Sequence, residues 1–343
     1  MISSIYTFYK TFIFKLIAQT SKLCYSVNSF ILKIFKIQSF FTKGRTIMRA
    51  YCITTDSNSD LPQEYIEKFG TTIIPQYYSF GDVVYGDELH MSPKEFYEKM
   101  KEGALPQSQA NNPAVIEDKF RDILDKGMDI IHIAFSSALS GSYNNVCMVA
   151  NELMEEYPDA KITVIDTLNV SLGETIMVIH AENLKANDVA YEDVVAELNE
   201  FRNHINVQFT VDDLFHLQRG GRVSKATAVL GSTLNLKPFL YVNRDGGLTS
   251  DGTVRGRKNS ISKLVDRMIE TMAENTDFSL PVGIVHGNCI EEAEILASIV
   301  KEKTQFTNVI INDISPSIGA HAGPGALGLL YYGGIKAPAK EAK

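Results

Sequence analysis

The sequence is poor in cysteine. Cys24, Cys52, Cys147 and Cys289 are the four in 343 residues, and no two stand at C-x-x-C spacing. That usage argues against a zinc site and a disulfide framework, and it suits a reducing cytoplasm. Catalytic signatures are equally scarce. No metal cluster, carboxylate pair or Cys/His couple stands out, and G-x-S-x-G is absent. No G-x-G-x-x-G follows a first strand and no G-x-x-x-x-G-K-[ST] occurs, so no dinucleotide or Walker site is read. Positive charge is outweighed as well: 33 Lys and Arg face 41 Asp and Glu, for a formal net charge of −8. Nucleic-acid binding, which needs a basic footprint, is disfavoured. What the residues offer is binding chemistry rather than catalytic chemistry.

One absence is local. Residues 1–48 contain no Asp or Glu, and Asp56 is the first acidic residue of the chain. Lys10, Lys15, Lys22, Lys33, Lys36 and Lys43 interrupt each apolar run before it reaches the ~20 residues a membrane-crossing helix needs. A basic amphipathic segment lying on a membrane is one alternative. A secretory signal would show a compact charged start, one apolar block and a small-residue cleavage site, and none is clear. The expectation is a non-structural or mis-assigned leader over 1–48, with the fold starting after Met48.

What is present is an ordinary globular composition, 45% apolar, in a chain long enough for two domains. From Ala50 onward, strand-like and helix-like stretches alternate at short intervals. AYCITTDS, TTIIPQYYSF, IIHIAFSS and KITVIDT read as strands, with helical periodicity between them. Ser92-Pro93 and Asn112-Pro113 read as helix starts, with a side-chain cap followed by proline at the first helical position. This is the pattern of a mostly parallel sheet with helices on both faces. Later, LKPFLYVNRDGGLTSDGTVRG reads as a hairpin turning at Asp245-Gly246-Gly247, and the surrounding pattern is α+β. The expected fold is therefore α/β in two domains, 49–205 and 206–336, with a tail over 337–343.

Polar stations mark where such a fold would bind something, because ligands of parallel sheets sit beyond the carboxyl ends of the strands. The first is 136–142, where Ser136, Ser137, Ser140, Gly141 and Ser142 join a buried strand to a helix. A helix start offers unpaired N–H groups, glycine permits close approach and the hydroxyls add donors, so the loop suits a negative oxygen. The plainer alternative is that Ser140 or Ser142 caps the helix. The second station is the polar loop 107–112, with Ser108, Gln109, Asn111 and Asn112. The third is GAHAGPGALG, where His321 sits in a glycine-rich turn. A fourth is Arg219-Gly220-Gly221-Arg222, whose guanidinium forks fit a carboxylate, a phosphate or plain surface ion pairs.

DSNSDLP, SSALSGSYNN, DTLNVSLG, LFHLQRGGRVSKATAVLG, LKP and HAGPGALG, in that order, resemble the motifs of the DegV family over residues 49–335. The resemblance implies two α/β domains with a long-chain fatty acid in an apolar tunnel between them. It further implies that the carboxylate is held by the serine of an LSGTY-like motif, here Ser140, and by a hydroxyl before the third helix. That hydroxyl falls on Ser108 by counting back from Pro113, with Gln107 or Gln109 as the alternatives one place away. Gly141 and Ser142 complete the carboxylate site, Ser142 standing where the motif usually has threonine. Some relatives serve as acyl-binding subunits of a bacterial fatty acid kinase, so a separate ATP-using partner is implied. His321, Arg219 and Arg222 are then candidate headgroup or partner contacts. No cofactor beyond the bound fatty acid, no metal and at most transient membrane contact are expected of a cytoplasmic non-enzyme. The competing reading is an enzyme acting on an acyl or phosphorylated small molecule, with His321 as acid/base.

Overall fold

The structure, a computed structural model, describes residues 49–212, 214–224, 235–274 and 276–340. The leader read over 1–48, residues 225–231 of the LFHLQRGGRVSKATAVLG motif with the three that follow it, and the last three residues of the tail lie outside the described residues.

In chain order the elements are β1 (Tyr51–Asp56), α1 (Gln63–Phe69), β2 (Thr72–Ile74), β3 (Tyr77–Phe80), β4 (Val83–Tyr85), α2 (Pro93–Lys101), β5 (Gln107–Gln109), α3 (Pro113–Leu124), β6 (Asp129–Ala134), α4 (Ser142–Glu156), β7 (Ile162–Asp166) and α5 (Leu172–Ala186). They continue as α6 (Tyr191–Phe201), β8 (Ile205–Thr210), α7 (Phe215–Arg219), β9 (Leu236–Val242), β10 (Leu248–Arg255), α8 (Arg257–Thr271), β11 (Val282–His286), α9 (Ile290–Lys303), β12 (Val309–Asp313), α10 (Pro316–Ala322) and β13 (Leu327–Tyr332).

Two principal sheets come from separate stretches of chain. The first has order β2-β1-β6-β7 and is parallel throughout. The second has order β10-β9-β8-β13-β11-β12 and is antiparallel except between β11 and β12. The expected α/β class, with helices on both sides of the sheets, is borne out. The hairpin at Asp245-Gly246-Gly247 joins β9 to β10, in the register Leu248↔Val242. The helix starts behave as read. Ser92 forms a reciprocal capping box with Glu95 ahead of Pro93, and the Asn112 side chain accepts the Ala114 N–H.

A hydrophobic core shared by the two sheets holds the fold together. Ile53, Ile131 and Ile133 of the first sheet pack in the same cluster as Ile205, Val207, Leu240 and Leu330 of the second. Between them runs α5, whose Leu172, Ile176, Met177, Val178 and Ile179 are all buried. Its first two turns are buried all round, Glu174 and Thr175 included, so this half of the helix is interior. Burying a side chain of this size contributes about 1.5–3 kcal/mol, so the five together outweigh any surface ion pair in the chain.

Three local readings need correction. TTIIPQYYSF is not one strand. Pro75 lacks the N–H a ladder needs, and the chain breaks there into β2 of the parallel sheet and β3 of a small third sheet, β4-β3-β5. The loop 107–112 is not wholly loop, because Gln107–Gln109 form β5, paired antiparallel with β3. His321 does not lie in a glycine-rich turn. It occupies the last turn of α10, and the glycine turn begins only at Gly323. Helix α6, which the reading passed over, carries a plain helical spacing of buried residues at Tyr191, Val194, Leu198 and Phe201.

Candidate functional site

A cavity of about 300 Å³ opens among residues of the second sheet, β5, α10 and the segments that follow the strands of the first sheet, such as Asn58, Gln76, Phe135 and Ser171. Its volume falls at the lower end of the ~300–1,000 Å³ usual for small-molecule sites. The wall is mostly apolar: Phe135, Leu139, Val170, Val207, Phe209, Leu217, Val285, Ile314, Ile318 and Leu330 contribute to it. Ser108, Ser140, Gly141, Arg222 and His321 are on the same wall. Five of the seven residues singled out from sequence thus meet in one place. Ser142 and Arg219 stand just behind them.

Ser108 is placed by strand pairing. It lies in β5 opposite Tyr78, half-buried between the exposed Gln107 and Gln109. The Ser108 hydroxyl and His321 Nε2 are 2.6 Å apart. Gln109 also reaches the cavity rim.

Ser140 and Ser142 are placed by the start of α4. Gly141 is the N-cap residue, and the Ser140 hydroxyl accepts the Ser142 N–H at 3.2 Å. Ser140 therefore does tether a helix-terminal N–H, as the plain capping alternative has it, and it faces the cavity as well. Ser142 is fully buried. Its hydroxyl donates to Gln76 Oε1 at 2.8 Å and lies 2.9 Å from the Ser140 hydroxyl.

The arginines brace the backbone. Arg222 sends Nε and one terminal nitrogen to the Leu139 carbonyl at 3.1 and 2.8 Å, holding the serine loop. Arg219 donates to the carbonyls of Pro106 and Ala320, tying the approach to β5 to α10. Burial, followed by the charges of Arg222, Arg219 and His216, pushes the His321 pKa down to about 4. The imidazole is therefore neutral at physiological pH. Gly220 lies against it: a Cβ there would come within 1.9 Å of His321 Nδ1. Nδ1 has no hydrogen-bond partner among the described residues.

Sequence reasoning missed Gln76 and gave Asp56 no role. Gln76 lines the cavity and donates through Nε2 to Asp56 Oδ1 at 2.9 Å. A signal was available: a buried glutamine directly after a strand-breaking proline, within an otherwise apolar and aromatic run. Among the described residues, no group of three or more His, Cys, Asp or Glu could hold a metal ion. None of the described helices is long and apolar enough to cross a membrane.

With this geometry in place, comparison with known proteins gives the class. Residues 51–333 match the DegV family of uncharacterised proteins. The chain is 35% identical to a DegV domain-containing protein of Clostridium perfringens over 296 residues, 85% of this chain and all of that relative. Its fold is similar to that of a DegV family protein from Thermus thermophilus described as fatty-acid binding, with TM-score 0.74 and 28% identity, covering 83% of this chain and 99% of the other. It is likewise similar to a fatty-acid-binding DegV protein of Bacillus subtilis, with TM-score 0.71 and 28% identity, covering 83% and 99%. The chain belongs to the DegV family, and the resemblance read from its motifs is borne out.

Proposed function

We propose that this chain binds one long-chain fatty acid in the cavity, in a tunnel between lobes 49–205 and 206–336. The carboxyl group meets the hydroxyls of Ser108 and Ser140 beside the backbone of Gly141, with Ser142 bracing Ser140 from behind, and the tail lies along the apolar wall. The observation that carries this reading is the cavity itself: a mostly apolar lining that includes Ser108 and Ser140, in a family with relatives described as fatty-acid binding. Physically, burying a tail of ~16 carbons yields roughly 0.8 kcal/mol per CH₂, so the tail supplies most of the affinity and the hydroxyls orient the head.

The chain then presents the carboxyl group to a separate ATP-using kinase subunit in the cytoplasm and carries the acyl phosphate away. Arg219 and His321 beside Ser108, and Arg222 beside the serine loop, are the contacts nearest an incoming partner or phosphate.

The enzyme reading draws on one observation, the 2.6 Å approach of Ser108 to His321, which has the form of a nucleophile and base. Two facts weigh against it. A histidine held near pKa 4 is a feeble base at neutral pH, and its Nδ1 has no carboxylate to orient it among the described residues. The carrier reading needs neither.

The test is displacement of a fluorescent fatty acid by oleate in the wild type, Ser108→Ala and Ser140→Ala. Each variant is expected to bind roughly 2- to 10-fold more weakly, the worth of one hydrogen bond. Unchanged affinity in both would remove the headgroup assignment. Hydrolysis of an acyl phosphate by the isolated chain, lost in His321→Ala, would favour the enzyme.

A further inference from the structure

The hydroxyl of Ser140 ends a hydrogen-bond chain whose direction is fixed from within the protein. Asp56 is fully buried, and both of its oxygens accept: Oδ1 from Gln76 Nε2 at 2.9 Å and Oδ2 from the Phe135 N–H at 2.8 Å. With both Asp56 oxygens taking N–H donors, the NH₂ group of Gln76 faces Asp56 and its carbonyl oxygen faces Ser142. That carbonyl takes the Ser142 hydroxyl proton at 2.8 Å. The 2.9 Å contact between Ser142 and Ser140 can then be filled in one way, by the Ser140 proton pointing at Ser142. The Ser140 oxygen also receives the Ser142 N–H, which leaves one lone pair facing the cavity.

We propose that Asp56 and Gln76 are positioning residues that make Ser140 a hydrogen-bond acceptor toward the cavity, so that the fatty acid is held as the neutral carboxylic acid. The proposal rests on the fatty-acid reading above and deepens it. The acid O–H donates to Ser140, and the acid carbonyl accepts from the Ser108 hydroxyl. Ser108 can donate because neutral His321 can occupy it from the other side as the Nε2–H tautomer.

The charges around this headgroup oppose one another. Arg222 beside the serine loop, Arg219 at the start of β5, and His216 and His321 on α7 and α10 bear from one side. Asp56 bears from behind Gln76, and Asp166 from the far end of the loop, where it accepts the Ser137 N–H. The arginine forks are turned onto backbone carbonyls of Leu139, Pro106 and Ala320. An ionised headgroup would lose hydration in an apolar cavity and would have to pull the Ser140 proton away from Ser142.

The experiment uses the full chain, stripped of lipid and reloaded with palmitic acid carrying carbon-13 at the carboxyl carbon. The carboxyl NMR resonance is followed across about pH 5 to pH 9. The expected wild-type signal stays at the position of the neutral acid through neutral pH, with a midpoint roughly two units or more above that of the free acid. Asp56→Asn frees Gln76 to turn over, which lets Ser142 donate to Ser140 and Ser140 donate outward. Its midpoint is expected to fall by about a unit or more. A wild-type signal at the carboxylate position at neutral pH would overturn the proposal while leaving fatty-acid binding intact. A neutral acid whose midpoint does not move in a folded Asp56→Asn chain would overturn the role of Asp56 and Gln76. Failure of the wild type to take up any palmitic acid would overturn the fatty-acid reading, and this proposal with it.

Discussion

Replacing Gly220 by alanine tests how His321 and Ser108 work together without touching either residue. Gly220 closes α7 at φ −77°, ψ −4°, a conformation alanine adopts freely, so the backbone imposes no penalty. The new methyl group would stand 1.9 Å from His321 Nδ1 and 2.6 Å from Cε1, where ordinary contact begins at 3.4 Å. The shortfall between 3.4 and 1.9 Å, about 1.5 Å, has to be met by the imidazole. Its Nε2 is already 2.6 Å from the Ser108 hydroxyl, so the ring has no room to advance and loses the bond if it moves aside. One neutral hydrogen bond is worth about 0.5–1.5 kcal/mol, which corresponds to roughly 2- to 10-fold weaker fatty-acid binding. Overpacking adds about 1–3 kcal/mol of destabilisation, read by thermal melting. The assay is oleate displacement of a fluorescent fatty acid, run as a double-mutant cycle with Ser108→Ala. If the effect passes through Ser108, Gly220→Ala costs little affinity once Ser108 is already alanine. Wild-type affinity in the single variant, or full additivity in the pair, would refute the coupling.

Other outcomes follow from the same structure. Asp60 is buried with its carboxyl pKa pushed up to about 7 by desolvation, so the native state binds that proton more tightly than the unfolded chain does. Its contribution to stability is intact below the unfolded value of 3.8 and is lost as pH rises through about 7. Asp60→Asn keeps the acceptor for the Ser315 N–H and suits the left-handed backbone at φ 53°, so it should raise Tm at about pH 8 and change it little near pH 4. An equal shift at both values would contradict the burial argument. Gly246→Ala, at φ +82°, places a Cβ 2.2 Å from the Ser136 hydroxyl and should cost about 1–3 kcal/mol in denaturant unfolding. If the tail supplies most of the binding energy, shortening the acid by two carbons should weaken it about 10-fold in the same displacement assay. Affinity indifferent to chain length would count against an apolar tunnel.

Much of this was legible in the sequence because the signals were local. The fully buried strand β6 announces itself by its run of isoleucines, β1 and β7 by β-branched residues ending in a polar loop, and Ser92 and Asn112 announce helix starts through the prolines behind them. Ser140 was legible because hydroxyls and glycine cluster at a strand-to-helix handover. The errors came where distant pairing overrode a local pattern. Gln107–Gln109 looks like a polar loop until β3 pairs with it. His321 reads as part of a glycine turn because α10 is only seven residues long and its capping glycine follows at once. Gln76 was hidden for the same reason: its partners, Asp56 and Ser142, lie 20 and 66 residues away.

The most direct measurement is native mass spectrometry of the chain purified from a bacterial host, followed by release and identification of any adduct. One long-chain fatty acid per chain is the expected result. A chain that emerges empty, and stays empty when mixed with oleate or palmitate, would contradict the central claim.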